Sequence, residues 1–187
     1  MNKNVNYKLN YLSEEFFNKY NSTEYPEIEN KNNRPYMVIL VNIENNVFAI
    51  PFRTNIRHNN CYKFKKSSRT TDTVTGLDYT KAVIVNDDKY IGETARIDDK
   101  EYVELNKNYP FIIKQFKKFV IDYIEFVNGK QSYYAEKKFQ FTTLKYFTNE
   151  LLFAKNDKTV SDIIEEAKAT LSNQSTEPYK EYEPNIK

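Results

Sequence analysis

The chain has 187 residues with a net charge of +2, one cysteine and one histidine. One histidine and one cysteine (Cys61) exclude an internal disulfide and leave an incomplete zinc set, so no metal or cofactor is expected and a reducing cytoplasm fits. Only 3 glycines occur, too few for a glycine-rich phosphate loop, and 16% aromatic residues predict a core built on Tyr and Phe. No apolar run reaches membrane-spanning length and Met1-Asn2-Lys3-Asn4 opens no signal peptide, so a soluble cytoplasmic protein is expected.

Ser13-Glu14-Glu15-Phe16-Phe17 reads as a short helix capped by Ser13, with Phe16, Phe17 and Tyr20 toward its buried side. Residues 21–33 read as loop. Tyr36 to Val41 is a continuous, partly β-branched apolar run, expected to form a central strand. Glu44-Asn45-Asn46 is turn material, because Asn tolerates left-handed backbone, and Val47 to Pro51 is the return strand. The hairpin then releases residues 52–60 as a functional loop.

Residues 61–76 read as polar and basic, with Ser67 to Thr71 mobile. A third strand is expected over Ala82 to Val85 and a short fourth over Lys89-Tyr90-Ile91. A helix capped by Asp98 or Asp99 is predicted to run to Leu105, with Tyr102 and Leu105 on one face. A second, longer helix follows over Tyr109 to Val127, its core stripe running from Phe111 and Ile112 through Phe116, Phe119, Val120, Tyr123 and Ile124 to Val127. Gly129 is placed to end it in the left-handed region. Further helices are predicted over Phe139 to Phe153, packing through Leu144, Phe147, Leu151 and Leu152, and over Val160 to Leu171. The fold class expected is α+β, a small mainly antiparallel sheet with packed helices, as one domain over residues 1–172 and a disordered tail over 173–187.

Function concentrates after the hairpin. Between Phe52 and Thr71 stand six Lys/Arg (Arg53, Arg57, Lys63, Lys65, Lys66, Arg69) without an Asp or Glu, around His58. Such local charge suits phosphate, and also suits a solvated basic loop. Arg53 and Arg57 are able to grip phosphate bidentately, and His58 to act as acid or base. Tyr62 and Phe64 alternate with Lys63 and Lys65, a pattern for stacked single-stranded bases and equally for an edge strand. Lys81 either reaches the site or pairs with Asp78. Lys114, Lys117 and Lys118 share a helix face that lines an RNA groove or is simply solvated.

Four segments carry a resemblance in their order and spacing: Arg34-Pro35-Tyr36 to Leu40, Phe48 to His58, Gly76-Leu77-Asp78-Tyr79 to Ile84, and Lys114 to Lys118. Over roughly residues 10 to 152 they resemble the toxins of type III toxin–antitoxin systems, nearest the TenpN-like group related to ToxN and AbiQ. The resemblance implies a PemK/MazF-like antiparallel barrel with added helices. It implies a metal-independent, sequence-specific endoribonuclease that leaves a 2′,3′-cyclic phosphate. It also implies inhibition by a repeated small RNA that the toxin trims, assembly of toxin and RNA into closed complexes, and a role in phage defence by abortive infection or in plasmid maintenance. Thr54 matches the family's catalytic hydroxyl, where many relatives have Ser; lysines of ToxN-like members are replaced here by Ile56 and Arg57. Thr54, His58, Arg53 and Arg57 are thus the expected catalytic set. Asn55, Tyr62, Lys63, Lys65, Lys66, Arg69, Lys81, Lys114, Lys117 and Lys118 are the expected RNA contacts. The rival readings are a non-catalytic RNA-binding module and a MazF-type ribonuclease with a protein antitoxin.

Overall fold

The computed structural model describes residues 7–29, 36–130 and 132–152. The helix expected over Val160 to Leu171 and the tail after Ser172 lie outside the described residues, as does the domain boundary at 172.

Seven strands form an antiparallel sheet in an α+β arrangement: β1 (Lys8–Leu12), β2 (Met37–Ile43), β3 (Asn46–Thr54), β4 (Cys61–Lys63), β5 (Thr75–Asp78), β6 (Val83–Ile84) and β7 (Ile91–Thr94). Their order is β4-β5-β3-β2-β1-β7, with β6 also on β3. Among the described residues no pairing joins β4 to β7, so the sheet is open.

The expected hairpin is present. Ile43 pairs with Asn46 around the tight turn Glu44-Asn45, but Glu44, not an asparagine, takes the left-handed position, at φ 51°. β2 is central and almost wholly buried, as a continuous apolar run requires. β3 is longer than expected and changes partner along its length: Phe48 and Ala49 pair with β6, and Phe52 to Thr54 pair with β5. Pro51, which has no N–H to give, falls in the gap between those two ladders. Arg53 and Thr54 therefore stand on a strand and not on a loop.

Four strands differ from the sequence-based expectation, among them β5, which lies partly in the stretch read as polar and basic. β1 was hidden by its polar residues. β4 is an edge strand whose alternation puts Tyr62 and Phe64 in the core and Lys63 and Lys65 outside. The segment Lys89-Tyr90-Ile91 is a 3-10 turn (Asp88–Tyr90) leading into β7.

Helix α1 (Glu14–Lys19) begins as expected, with Ser13 Oγ accepting from the Phe16 amide, and it buries Phe16. The two helices expected between Asp98 and Val127 are one, α2 (Asp99–Val127), which passes through Pro110 without ending. A proline removes one backbone bond and strains a helix by about 3 kcal/mol; packing of the following stripe, Ile112, Phe116, Phe119, Val120 and Tyr123, outweighs this. Asp98 caps α2, accepting from the amides of Lys100 and Glu101. In its first turns Glu101 and Leu105 share the buried face while Tyr102 is exposed. Phe111 and Val127, expected in the stripe, are exposed too. Gly129 takes φ 97° beyond the C-cap, Asn128.

Phe116 of α2 meets Phe48 of β3 at 5.3 Å and Tyr79 at 5.5 Å, which seats the helix on the sheet. The helix expected over Phe139 to Phe153 is instead α3 (Tyr133–Phe139), a 3-10 turn (Thr143–Phe147) and α4 (Thr148–Leu152). Leu144, Phe147 and Leu151 nevertheless pack as expected. No described helix is long and apolar enough to cross a membrane.

Candidate functional site: a cationic groove around a buried aspartate

At the end of β3 the chain turns at Asn55, whose φ of 59° lies in the left-handed region that Asn tolerates. Ile56 then plugs into the core and its amide donates to Val74 O at 3.1 Å. This anchor leaves Arg57 and His58 to the groove side. The segment ends where Tyr79 N donates to Asn60 O at 3.2 Å and Cys61 Sγ to His58 O at 3.2 Å.

A groove of about 610 Å³ is lined by Arg53, Thr54, Asn55, Arg57, His58, Thr80, Lys81, Glu27, Glu29 and Phe141, with Asp78 at its floor. Asp78 ends β5 and caps the 3-10 turn Tyr79–Lys81. Its Oδ1 accepts from Thr80 N at 3.0 Å and Thr80 Oγ1 at 2.6 Å. The same oxygen lies 3.4 Å from His58 Nε2, and Oδ2 lies 3.8 Å from Arg53 Nε. Burial pushes the Asp78 carboxyl up, but His58, Thr80 and Arg53 outweigh it and hold the group below its ordinary value. The same contact, aided by Cys61 and opposed by burial, raises His58 to about 9.

At neutral pH His58 is therefore an imidazolium. Its Nε2 faces Asp78 and its Nδ1 is buried without a hydrogen-bond partner. Of the two roles expected for His58, acid or base, the imidazolium has a proton to give, and it adds its charge to the groove.

Arg53 Nη2 donates to both oxygens of Glu29, each at 3.2 Å. Arg57 Nε donates to Asn55 Oδ1 at 3.2 Å. Lys81 does not pair with Asp78: its ammonium donates to Phe141 O at 3.1 Å. Burial, and then the nearby Arg53, lower its pKa. Glu27 is held by Lys145 Nζ at 2.6 Å and by the Tyr146 hydroxyl. The Tyr36 hydroxyl is buried without a partner beside Arg53, Asp78 and Glu29, and burial raises its pKa.

Six of the expected residues thus meet in one groove: Arg53, Thr54, Asn55, Arg57, His58 and Lys81. The others do not line it. Tyr62 is 9% exposed, with its hydroxyl donating to Glu104 at 2.8 Å, so its ring is packed and not free to stack on a base. Arg69 is spent on the fully buried Glu101 at 3.0 Å. That pair, with Ser68 N donating to Asp98, pins the stretch expected to be mobile. Lys63, Lys65 and Lys66 are exposed on and after the edge strand, with Lys63 Nζ on Asn59 Oδ1 at 3.0 Å. Lys114 and Lys118 are exposed on α2 and Lys117 is half-buried; Lys118 pairs with Asp122 at 2.9 Å.

Sequence reasoning missed Asp78 as the hub, and missed Glu27, Glu29, Thr80 and Phe141 as groove residues. Asp78-Tyr79-Thr80 is an Asx-type capping pattern that was readable. Nothing local marked the others. Among the described residues no cluster of His, Cys, Asp and Glu is arranged to hold a metal ion. No protein family, curated protein or solved structure matches the chain.

Proposed function

We propose that the chain is an endoribonuclease toxin of a type III toxin–antitoxin system, cutting RNA by attack of a 2′-oxygen to leave a 2′,3′-cyclic phosphate. The observation that carries the reading is the convergence of Arg53, Arg57, His58 and Lys81 with the Thr54 hydroxyl on one groove. Four cations beside a hydroxyl match a phosphodiester whose charge grows in the transition state.

In this reading the 2′-oxygen attacks phosphorus, solvent water takes the 2′-OH proton, the P–O5′ bond breaks, and the 5′-oxygen gains a proton from a protonated side chain of the groove. Arg53, Arg57 and the His58 imidazolium stabilise the charge on the non-bridging oxygens. Thr54 donates to one of those oxygens or orients the 2′-OH. Lys81 and the His58 imidazolium both stand in the groove with a proton to give the leaving oxygen; burial and Arg53 lower the pKa of Lys81. Asp78 touches no substrate; it fixes His58 and Arg53.

The same reading expects a PemK/MazF-like barrel; the antiparallel pairing and the change of partner along β3 support it, while the described β4 and β7 edges stay unpaired with each other. It also assigns a repeated small RNA as antitoxin, closed toxin–RNA assemblies, a cytoplasmic site of action, and a role in phage defence or plasmid maintenance. The order of the four sequence segments supports those assignments.

A second reading, a non-catalytic RNA-binding module, is favoured by one observation: Asp78 faces His58 and holds it charged, which leaves it unable to take the 2′-OH proton. Expression in cells separates the two. Wild type is expected to arrest growth and create new, sequence-specific RNA ends, both relieved by Thr54→Ala. Arrest without new ends contradicts the ribonuclease reading and supports binding alone.

A further inference from the structure

Phe141 is 62% exposed, yet it is not loose. It follows Phe139, which is buried, and precedes Thr142 and Thr143, which are buried. Thr142 N closes a turn onto Phe139 O at 3.1 Å. Thr143 Oγ1 donates to Thr80 O at 3.2 Å, and the Phe141 carbonyl accepts the Lys81 ammonium at 3.1 Å. The backbone bearing the ring is thus tied, at its own carbonyl and two residues on, to the 3-10 turn (Tyr79–Lys81) that follows Asp78.

A single exposed phenylalanine on a protein surface is ordinary. This one lines the groove that holds Arg53, Thr54, Arg57, His58 and Lys81. The groove presents cations and hydroxyls for a phosphate, and at Phe141 a flat apolar face. A nucleotide joins those two chemistries, an anion to an aromatic base. Proteins that bind single strands combine cationic tracks with aromatic platforms in this way.

We propose that Phe141 is a base-stacking subsite: the base of a nucleotide flanking the phosphate held by Arg53 and Lys81 stacks on its ring. The inference rests on the nucleic-acid reading of the groove and adds to it a requirement for unpaired bases. Stacking needs a π face and no hydrogen-bond code, so the subsite demands single-stranded RNA without itself choosing the base. A duplex has its bases already stacked and excludes the ring.

The test uses the full chain and short single-stranded oligomers with 2′-O-methyl riboses, which resist attack by the 2′-oxygen. Affinities are measured by fluorescence anisotropy for wild type, Phe141→Ala, Phe141→Leu, Phe141→Tyr and Arg53→Ala, with circular dichroism to check folding. A matched oligomer lacking its bases serves as the second probe. Phe141→Ala and Phe141→Leu are expected to weaken the base-bearing oligomer roughly tenfold with its salt dependence unchanged, while Phe141→Tyr keeps wild-type affinity. The abasic oligomer is expected to bind wild type and Phe141→Ala alike. Wild-type affinity in Phe141→Leu, or an equal loss for both oligomers, overturns the stacking subsite. If Arg53→Ala weakens both oligomers and Phe141→Ala weakens neither, the subsite alone falls. If wild type binds neither oligomer, the nucleic-acid reading falls with it.

Discussion

His58 Nε2 lies 3.4 Å from Oδ1 of Asp78, a carboxylate whose side chain is only 4% exposed. The pair sets the charge of the groove. Burial alone would favour a neutral imidazole and a protonated carboxyl. Together, and with Thr80 and Arg53 added, they hold the opposite state, imidazolium beside carboxylate.

The chain has 1 histidine, so its titration is read without ambiguity by proton NMR. Wild type is expected to titrate at about 9. Asp78→Asn removes the largest cause of that rise, and the midpoint should fall toward the ordinary 6.5. A wild-type midpoint near 6.5 would show that the pair does not form in solution.

Stability follows with a definite sign. His58 has a folded-state pKa of about 9 against an ordinary 6.5, so its contribution is full below about pH 6.5 and is lost as pH rises through 9. Asp78 is held below 3.8, so its side of the pair is lost only as pH falls below that value. The melting temperature of wild type should therefore drop more between pH 6.5 and 9 than that of His58→Gln. Parallel curves for the two proteins would refute the linkage.

Glu29 occupies Arg53 by taking one guanidinium nitrogen, Nη2, on both carboxylate oxygens, a donor a phosphate would use. Phosphate has to displace it. Glu29→Gln is expected to tighten RNA binding several-fold and to steepen its salt dependence by about one phosphate contact. Weaker binding in Glu29→Gln would mean that Glu29 positions Arg53 and does not compete for it.

Glu101 is fully buried, and Arg69 is its charged partner. The pair meets through Arg69 Nε and Glu101 Oε1, while Arg69 Nη2 and Glu101 Oε2 are buried with no hydrogen-bond partner, so it is incompletely satisfied. Removing one member strands a buried charge and typically costs about 3–5 kcal/mol. Arg69→Met should lower stability by that order in urea unfolding, and Arg69→Met with Glu101→Leu should recover most of it. A double variant no better than the single one would contradict a charge-based cost.

Much of the fold was legible because its signals are local. The run from Tyr36 to Val41, the turn at Glu44-Asn45, the caps Ser13 and Asp98, and Gly129 all act within a few residues. α2 was split in two because the apolar pattern breaks between Leu105 and Tyr109, and only the tertiary packing of its later turns shows why the helix runs on through Pro110. β1 and β5 were missed because their pairing partners, not their own residues, make them strands, whereas the alternation of β4 left an edge strand open as a reading. The groove divides the same way. Thr54, Arg57 and His58 cluster in sequence, but Arg53 meets Glu29 from 24 positions away and Lys81 meets Phe141 from 60. Contacts at such separations leave no pattern in a single sequence.

The most direct test of the central claim is cleavage by the purified chain in excess chelator, with RNA ends mapped chemically. The account predicts cuts at defined sites that leave 2′,3′-cyclic phosphates. It also predicts that Thr54→Ala and Lys81→Ala each slow cleavage about a hundredfold or more while remaining folded. RNA bound tightly by wild type and left intact would contradict catalysis in this groove, and cleavage undiminished in both variants would place the activity elsewhere.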